Sequence, residues 1–91
     1  MNYPAPAWAQ SYAPGVPLTL TYGDRTVLDL FEGSVREHGE RPALDFFGRT
    51  TTYADTHAAV LRVAEGLRRL GVGPGDNVAL VMPNCPQNVI A

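Results

Sequence analysis

The spacing of apolar residues changes several times along the chain, and each change marks an element. Leu28, Phe31 and Val35 recur at helical spacing, while Glu32, Arg36 and Glu37 fall elsewhere. Thr26 can cap this helix, and Asp29 three residues later completes an approximate capping box with Asp in place of Glu. Gly39 is the natural stop, although Gly33 weakens the interior. Residues 43–47 then alternate like a strand, with Leu44 and Phe46 on one face and Asp45 on the other. Gly48-Arg49 reads as a two-residue type II′ turn, and Thr50, Thr51 and Thr52 as the returning β-branched strand.

A second helix is predicted from Thr52 to about Leu70, with Asp55 in its first turn. Val60, Ala64 and Leu67 mark its apolar face, which Leu61, Val63 and Leu70 widen. Arg62, Glu65, Arg68 and Arg69 form its wet side, and Gly71 ends it. After a tight loop at 71–76, residues 77–82 run apolar without alternation. Such a run predicts a strand covered on both faces, as in a parallel sheet between helix layers. Pro83-Asn84-Cys85-Pro86 then turns into another helix, with Asn84 or Cys85 as cap and Pro86 in the first turn.

Residues 1–24 behave differently. Pro4, Pro6, Pro14 and Pro17 leave little periodicity, so this stretch reads as an extended leader anchored by Tyr3, Trp8, Tyr12 and Tyr22. Its sequence suits a strap lying on its own protein better than a docking or lipid-facing arm. The remainder, residues 25–91, has to build the core. A chain of 91 residues buries only about 60–65% of its unfolded surface, so the margin is thin. A both-face-buried strand needs neighbours and crossover helices that two helices and a hairpin do not supply. The expected architecture is therefore α/β, an incomplete N-terminal α/β segment of a larger protein.

Composition narrows the chemistry. Net charge is −2, and all seven basic residues are scattered arginines, which excludes a phosphate-binding stripe and hence nucleic acid. One cysteine, Cys85, suits a reducing cytoplasm and rules out an internal disulfide framework. No run approaches the roughly 20 apolar residues that span a bilayer, and no secretory signal is visible.

The candidate reactive residues read as structural. The glycines at 71, 73 and 75 follow a helix and open a strand, the reverse of a phosphate loop, and no Gly-Lys-Ser/Thr follows. Cys85 sits near a helix cap without a catalytic partner, although that position can lower a thiol pKa. His38 and His57 lack metal-ligand spacing, and Ser11 and Ser34 lack a nucleophile setting. The expected set of catalytic, cofactor-binding and metal-binding residues is therefore empty.

Three blocks nevertheless carry a resemblance: Thr52-Tyr53-Ala54-Asp55, the run from Leu70-Gly71-Val72-Gly73-Pro74-Gly75-Asp76 through Asn77-Val78-Ala79, and Met82-Pro83-Asn84-Cys85-Pro86. Together they resemble the N-terminal portion of the adenylate-forming, AMP-binding enzymes. Trp8-Ala9-Gln10-Ser11-Tyr12, Pro14-Gly15-Val16-Pro17 and Arg41-Pro42-Ala43 are similar to the long-chain fatty acid–CoA ligases in particular. Asp55 stands where Glu is common, and Asn77 where Arg or Lys is common. The resemblance implies an enzyme of fatty acid metabolism that forms an acyl-adenylate from a carboxylate and ATP, then a thioester with CoA. It also implies that the ATP, Mg²⁺ and CoA motifs lie downstream. This segment would then be scaffold, inactive alone, cytoplasmic with peripheral membrane contact left open, and partnered by the rest of its own ligase domain. In isolation its exposed strand edges would favour self-association. The alternative is a small standalone interaction or regulatory module derived from the same fold.

Overall fold

The computed structural model describes residues 4–91, so the expected Tyr3 anchor lies outside the described residues. The leader carries one turn of 3-10 helix, Ala7–Ser11, in a stretch expected to be extended throughout. The turn closes with the Tyr12 N–H donating to the Ala9 carbonyl at 3.4 Å, and it brings the Trp8 and Tyr12 rings to 5.4 Å. Both rings are exposed, as is Tyr22.

Helix α1 spans Val27–His38. Its capping box is complete. The Asp29 N–H donates to Thr26 Oγ1 at 3.1 Å, and the Thr26 N–H donates to Asp29 Oδ2 at 2.8 Å. Gly39 ends the helix, but in right-handed conformation with φ −50°. Its use is close approach. A Cβ there would stand 2.9 Å from the Val35 carbonyl oxygen and 3.7 Å from the Ala54 Cβ.

Strands β1 (Pro42–Phe46) and β2 (Arg49–Thr52) form an antiparallel hairpin. The pairing Phe46↔Arg49 places the loop at Phe47-Gly48, one residue earlier than Gly48-Arg49. Both loop residues have positive φ, 52° and 81°, as a type I′ turn requires. Gly48 meets that demand without strain, and its N–H donates to Asp45 Oδ1 at 3.0 Å. Phe47 meets it at a cost, which its edge-on contact with Phe46 at 4.6 Å partly offsets. A register shift between Pro42 and Leu44 brings Thr52 opposite Pro42.

Helix α2, Tyr53–Arg69, packs against α1, both strands and the short α3, Pro86–Ile90. Its first donors are filled by carbonyls from the segment that leaves α1. The Tyr53 N–H donates to the Arg41 carbonyl at 3.0 Å, and the Ala54 N–H to the Gly39 carbonyl at 2.9 Å. The Asp55 N–H donates to Thr52 Oγ1 at 3.1 Å. Thr56, 1% exposed, returns its hydroxyl to the Thr52 carbonyl at 2.7 Å. At the other end Gly71 adopts φ 92° in a Schellman motif, with the Val72 N–H on the Leu67 carbonyl at 3.1 Å and the Gly71 N–H on the Arg68 carbonyl at 3.0 Å. Pro86 occupies the first turn of α3, and Cys85 caps it without a side-chain bond.

The α/β expectation holds in the helices and the two-stranded sheet. The expectation of a buried strand at 77–82 is corrected. That segment pairs with neither described strand, and Val81 is 90% exposed. Among the described residues no apolar side chain is fully buried. The surface is 8052 Å², against about 5,200 Å² for a compact chain of this mass. The radius of gyration is 18.8 Å, against about 12 Å for a compact domain of this length.

Three outcomes follow from these local interactions. Thr52→Ala removes the α2 cap and should cost about 1 kcal/mol of helix stability, read as loss of helical chemical shifts at residues 53–56; unchanged shifts would refute the capping role. Gly48→Ala places a Cβ at φ 81° and should weaken the hairpin by on the order of 1 kcal/mol, seen as reduced amide protection across Phe46 and Arg49. The third concerns pH. The Thr26 backbone N–H, and next its hydroxyl, hold the Asp29 carboxyl below the usual Asp value. A lowered folded pKa gives stabilisation that is complete above the unfolded value and lost as pH falls through the folded one. Asp29 should therefore titrate below an Asp in an unstructured peptide by NMR, and Asp29→Asn should remove that acid-side fraying of α1.

Candidate functional site

The glycine loop after α2 is the first place to look for ligand chemistry, and its geometry comes from its own acid. The Gly73 N–H donates to Asp76 Oδ2 at 2.7 Å, and the Asp76 N–H donates to the Gly73 carbonyl at 3.0 Å. Gly75 takes φ 87° so that the chain can close this turn. An internal carboxylate thus occupies the position a phosphate oxygen would need, and its negative charge would repel one. The N-terminus of α2 is similarly filled by the carbonyls of Gly39 and Arg41. At the start of α1 the capping box engages the N–H groups of Thr26 and Asp29. Donor groups engaged in this way do not fit the phosphates of ATP.

The remaining candidates are scattered. Ser34 lies on α1 and donates its hydroxyl to the Leu30 carbonyl at 3.2 Å, so it is tied to its own helix. Ser11 closes the leader's 3-10 turn. His38 ends α1, 3.8 Å from the Glu37 carboxylate, and the pair is exposed. His57 stands on α2 with its ring 5.9 Å from Phe31, a packing contact between the two helices. Cys85 is half-buried beside an open hollow of about 200 Å³ lined by Leu44, Asp45, Phe46, Asn84, Pro86 and Val89. The structure brings none of these residues together. Among the described residues, no group of three or more His, Cys, Asp or Glu gathers at metal-binding distance.

The strongest charge cluster is on the wet face of α2. Glu65 receives a fork from Arg68, with both bonds at 2.8 Å, and a third bond from Arg69 at 3.1 Å. Arg68, and then Arg69, hold the Glu65 carboxyl below its usual value, and Glu65 raises Arg68 in turn. All three side chains are exposed, and the spacing is the ordinary i,i+3 and i,i+4 of a solvated helix face. An open apolar hollow of about 260 Å³ lies between α1, α2 and α3, lined by Val27, Leu28, Phe31, Val60, Val89 and Ile90 among others. The sequence pattern exposed half of this feature, because Leu28, Phe31 and Val60 belong to the predicted stripes. Only the packing of α3 added Val89 and Ile90.

Comparison with known proteins places these elements. The family described as AMP-binding enzyme matches residues 31–91. A long-chain-fatty-acid–CoA ligase of Bacillus subtilis (strain 168) is 31% identical over 84 residues, covering 92% of this chain and 15% of that protein. An acetyl-coenzyme A synthetase of Rhodopirellula baltica is 41% identical over 69 residues, 76% of this chain and 10% of that protein. Surfactin synthase subunit 2 of B. subtilis (strain 168) is 38% identical over 58 residues, 64% of this chain and 2% of that protein. The chain thus spans a small part of each curated relative. No solved structure gives a significant match. A family match over residues 31–91 takes in α1 from Phe31 onward, the hairpin, α2, the Asp76-closed loop and α3, and by it the chain belongs to the AMP-binding, adenylate-forming enzyme family.

Proposed function

We propose that residues 25–91 are the opening part of the large domain of a fatty acid–CoA ligase, with residues 1–24 as a leader in front of it. In the complete enzyme a fatty acid carboxylate displaces pyrophosphate from ATP to give the acyl-adenylate. The thiol of CoA then displaces AMP and leaves the acyl thioester. ATP, Mg²⁺ and CoA are held by other parts of that enzyme, and this segment contributes scaffold. The protein is cytoplasmic in this reading, with the exposed rings of the leader available for peripheral contact with a membrane. Among the described residues, no helix is long and apolar enough to cross one.

One observation supports the fatty acid branch above the others. The match to the fatty acid ligase covers 84 of 91 residues, so it takes in residues 8–84 wherever it begins. It therefore includes the leader from Trp8 onward. The match to the acetyl-coenzyme A synthetase, at 69 residues, leaves out much of the leader or much of the far end. The reading as a standalone module gains no support, since no described apolar side chain is fully buried and a lone domain needs a core. The remainder of the ligase domain is the partner that the exposed faces of α1, α2 and residues 77–82 require.

The substrate reading is tested by ATP–pyrophosphate exchange in the complete enzyme. Exchange should depend on long-chain fatty acid in preference to acetate or amino acids, and a preference for acetate would overturn it. The same assay on the 91-residue chain should give no exchange above the blank, and any fatty-acid-dependent exchange would show that the segment holds a site. We also propose that the isolated chain self-associates through residues 77–82, an uncharged stretch with unpaired backbone edges. Sedimentation velocity should show a mass that rises with concentration. Val81→Lys together with Leu80→Lys should return it toward the monomer, and a wild-type chain monomeric at all concentrations would refute the idea.

A further inference from the structure

We draw no further inference here: the strongest candidate, the open apolar hollow that Val27, Phe31, Val60 and Ile90 line between α1, α2 and α3, carries nothing because nothing in the structure shows what covers it beyond the remainder of the ligase domain already proposed.

Discussion

The structure hangs on the junction where β2 becomes α2. A helix start leaves four backbone donors without partners inside the helix. Here the donors of Tyr53, Ala54 and Asp55 are filled by the Arg41 carbonyl, the Gly39 carbonyl and the Thr52 hydroxyl. Thr52 also ends β2 opposite Pro42, and its carbonyl receives the hydroxyl of Thr56, the one fully buried residue among those described. The end of α1, the base of the hairpin and the start of α2 are thereby tied at one point. Each bond contributes modestly, about 1 kcal/mol, but leaving these donors unfilled in the packed angle between elements would cost more. A Cβ on Gly39 would stand 2.9 Å from the Val35 carbonyl oxygen of the same helix's last turn, whereas Ala54 of α2 would lie at an ordinary 3.7 Å, so the stop favours glycine for its own helix's carbonyl and without using its left-handed freedom.

Beyond that junction, order is local. The caps of α1, the Schellman end of α2, the type I′ turn and the Gly73–Asp76 turn all join residues a few positions apart. What local bonding does not supply is burial. The apolar faces of α1 and α2 meet at Phe31 and His57 and leave much of their surface open. The surface in excess of a compact chain, roughly 3,000 Å², is more than the roughly 800 Å² that one partner contributes to a standard interface. Such a chain has its secondary structure in place before its core, which suits a segment whose apolar faces are completed by a larger domain.

The same bonding engages backbone donors in the places that invite an anion. Helix starts and glycine loops bind anions when their N–H groups point outward unfilled. In this segment the N–H groups of Tyr53 and Ala54 are turned to the chain's own carbonyls, and those of Thr26 and Gly73 to the Asp29 and Asp76 carboxylates. The arginines at the end of α2 are likewise engaged with Glu65. The chain belongs to the AMP-binding enzyme family, and the polar groups named above are engaged in its own local structure.

Much of this was legible in the residues. Thr26 with Asp29, Thr52 with Asp55, Gly71 after Arg69, and Pro86 after Cys85 set helix ends through bonds spanning only a few residues, so short-range spacing was enough to place them. The turn at Phe47-Gly48 was not legible, because Gly48 serves either position of a two-residue loop and only cross-strand register decides between them. The 3-10 turn in the leader was hidden by prolines that favour extended chain. Residues 77–82 show the limit most clearly. Their composition determined a segment built for burial on both faces, whereas whether it is a strand depends on neighbours that donate and accept across its edges, and the described residues supply none. Residue order alone was enough to place the ends of α1 and α2 and the start of α3, because caps act within one turn. Tertiary structure decided register, burial and pairing, because those are set by residues far apart in the chain.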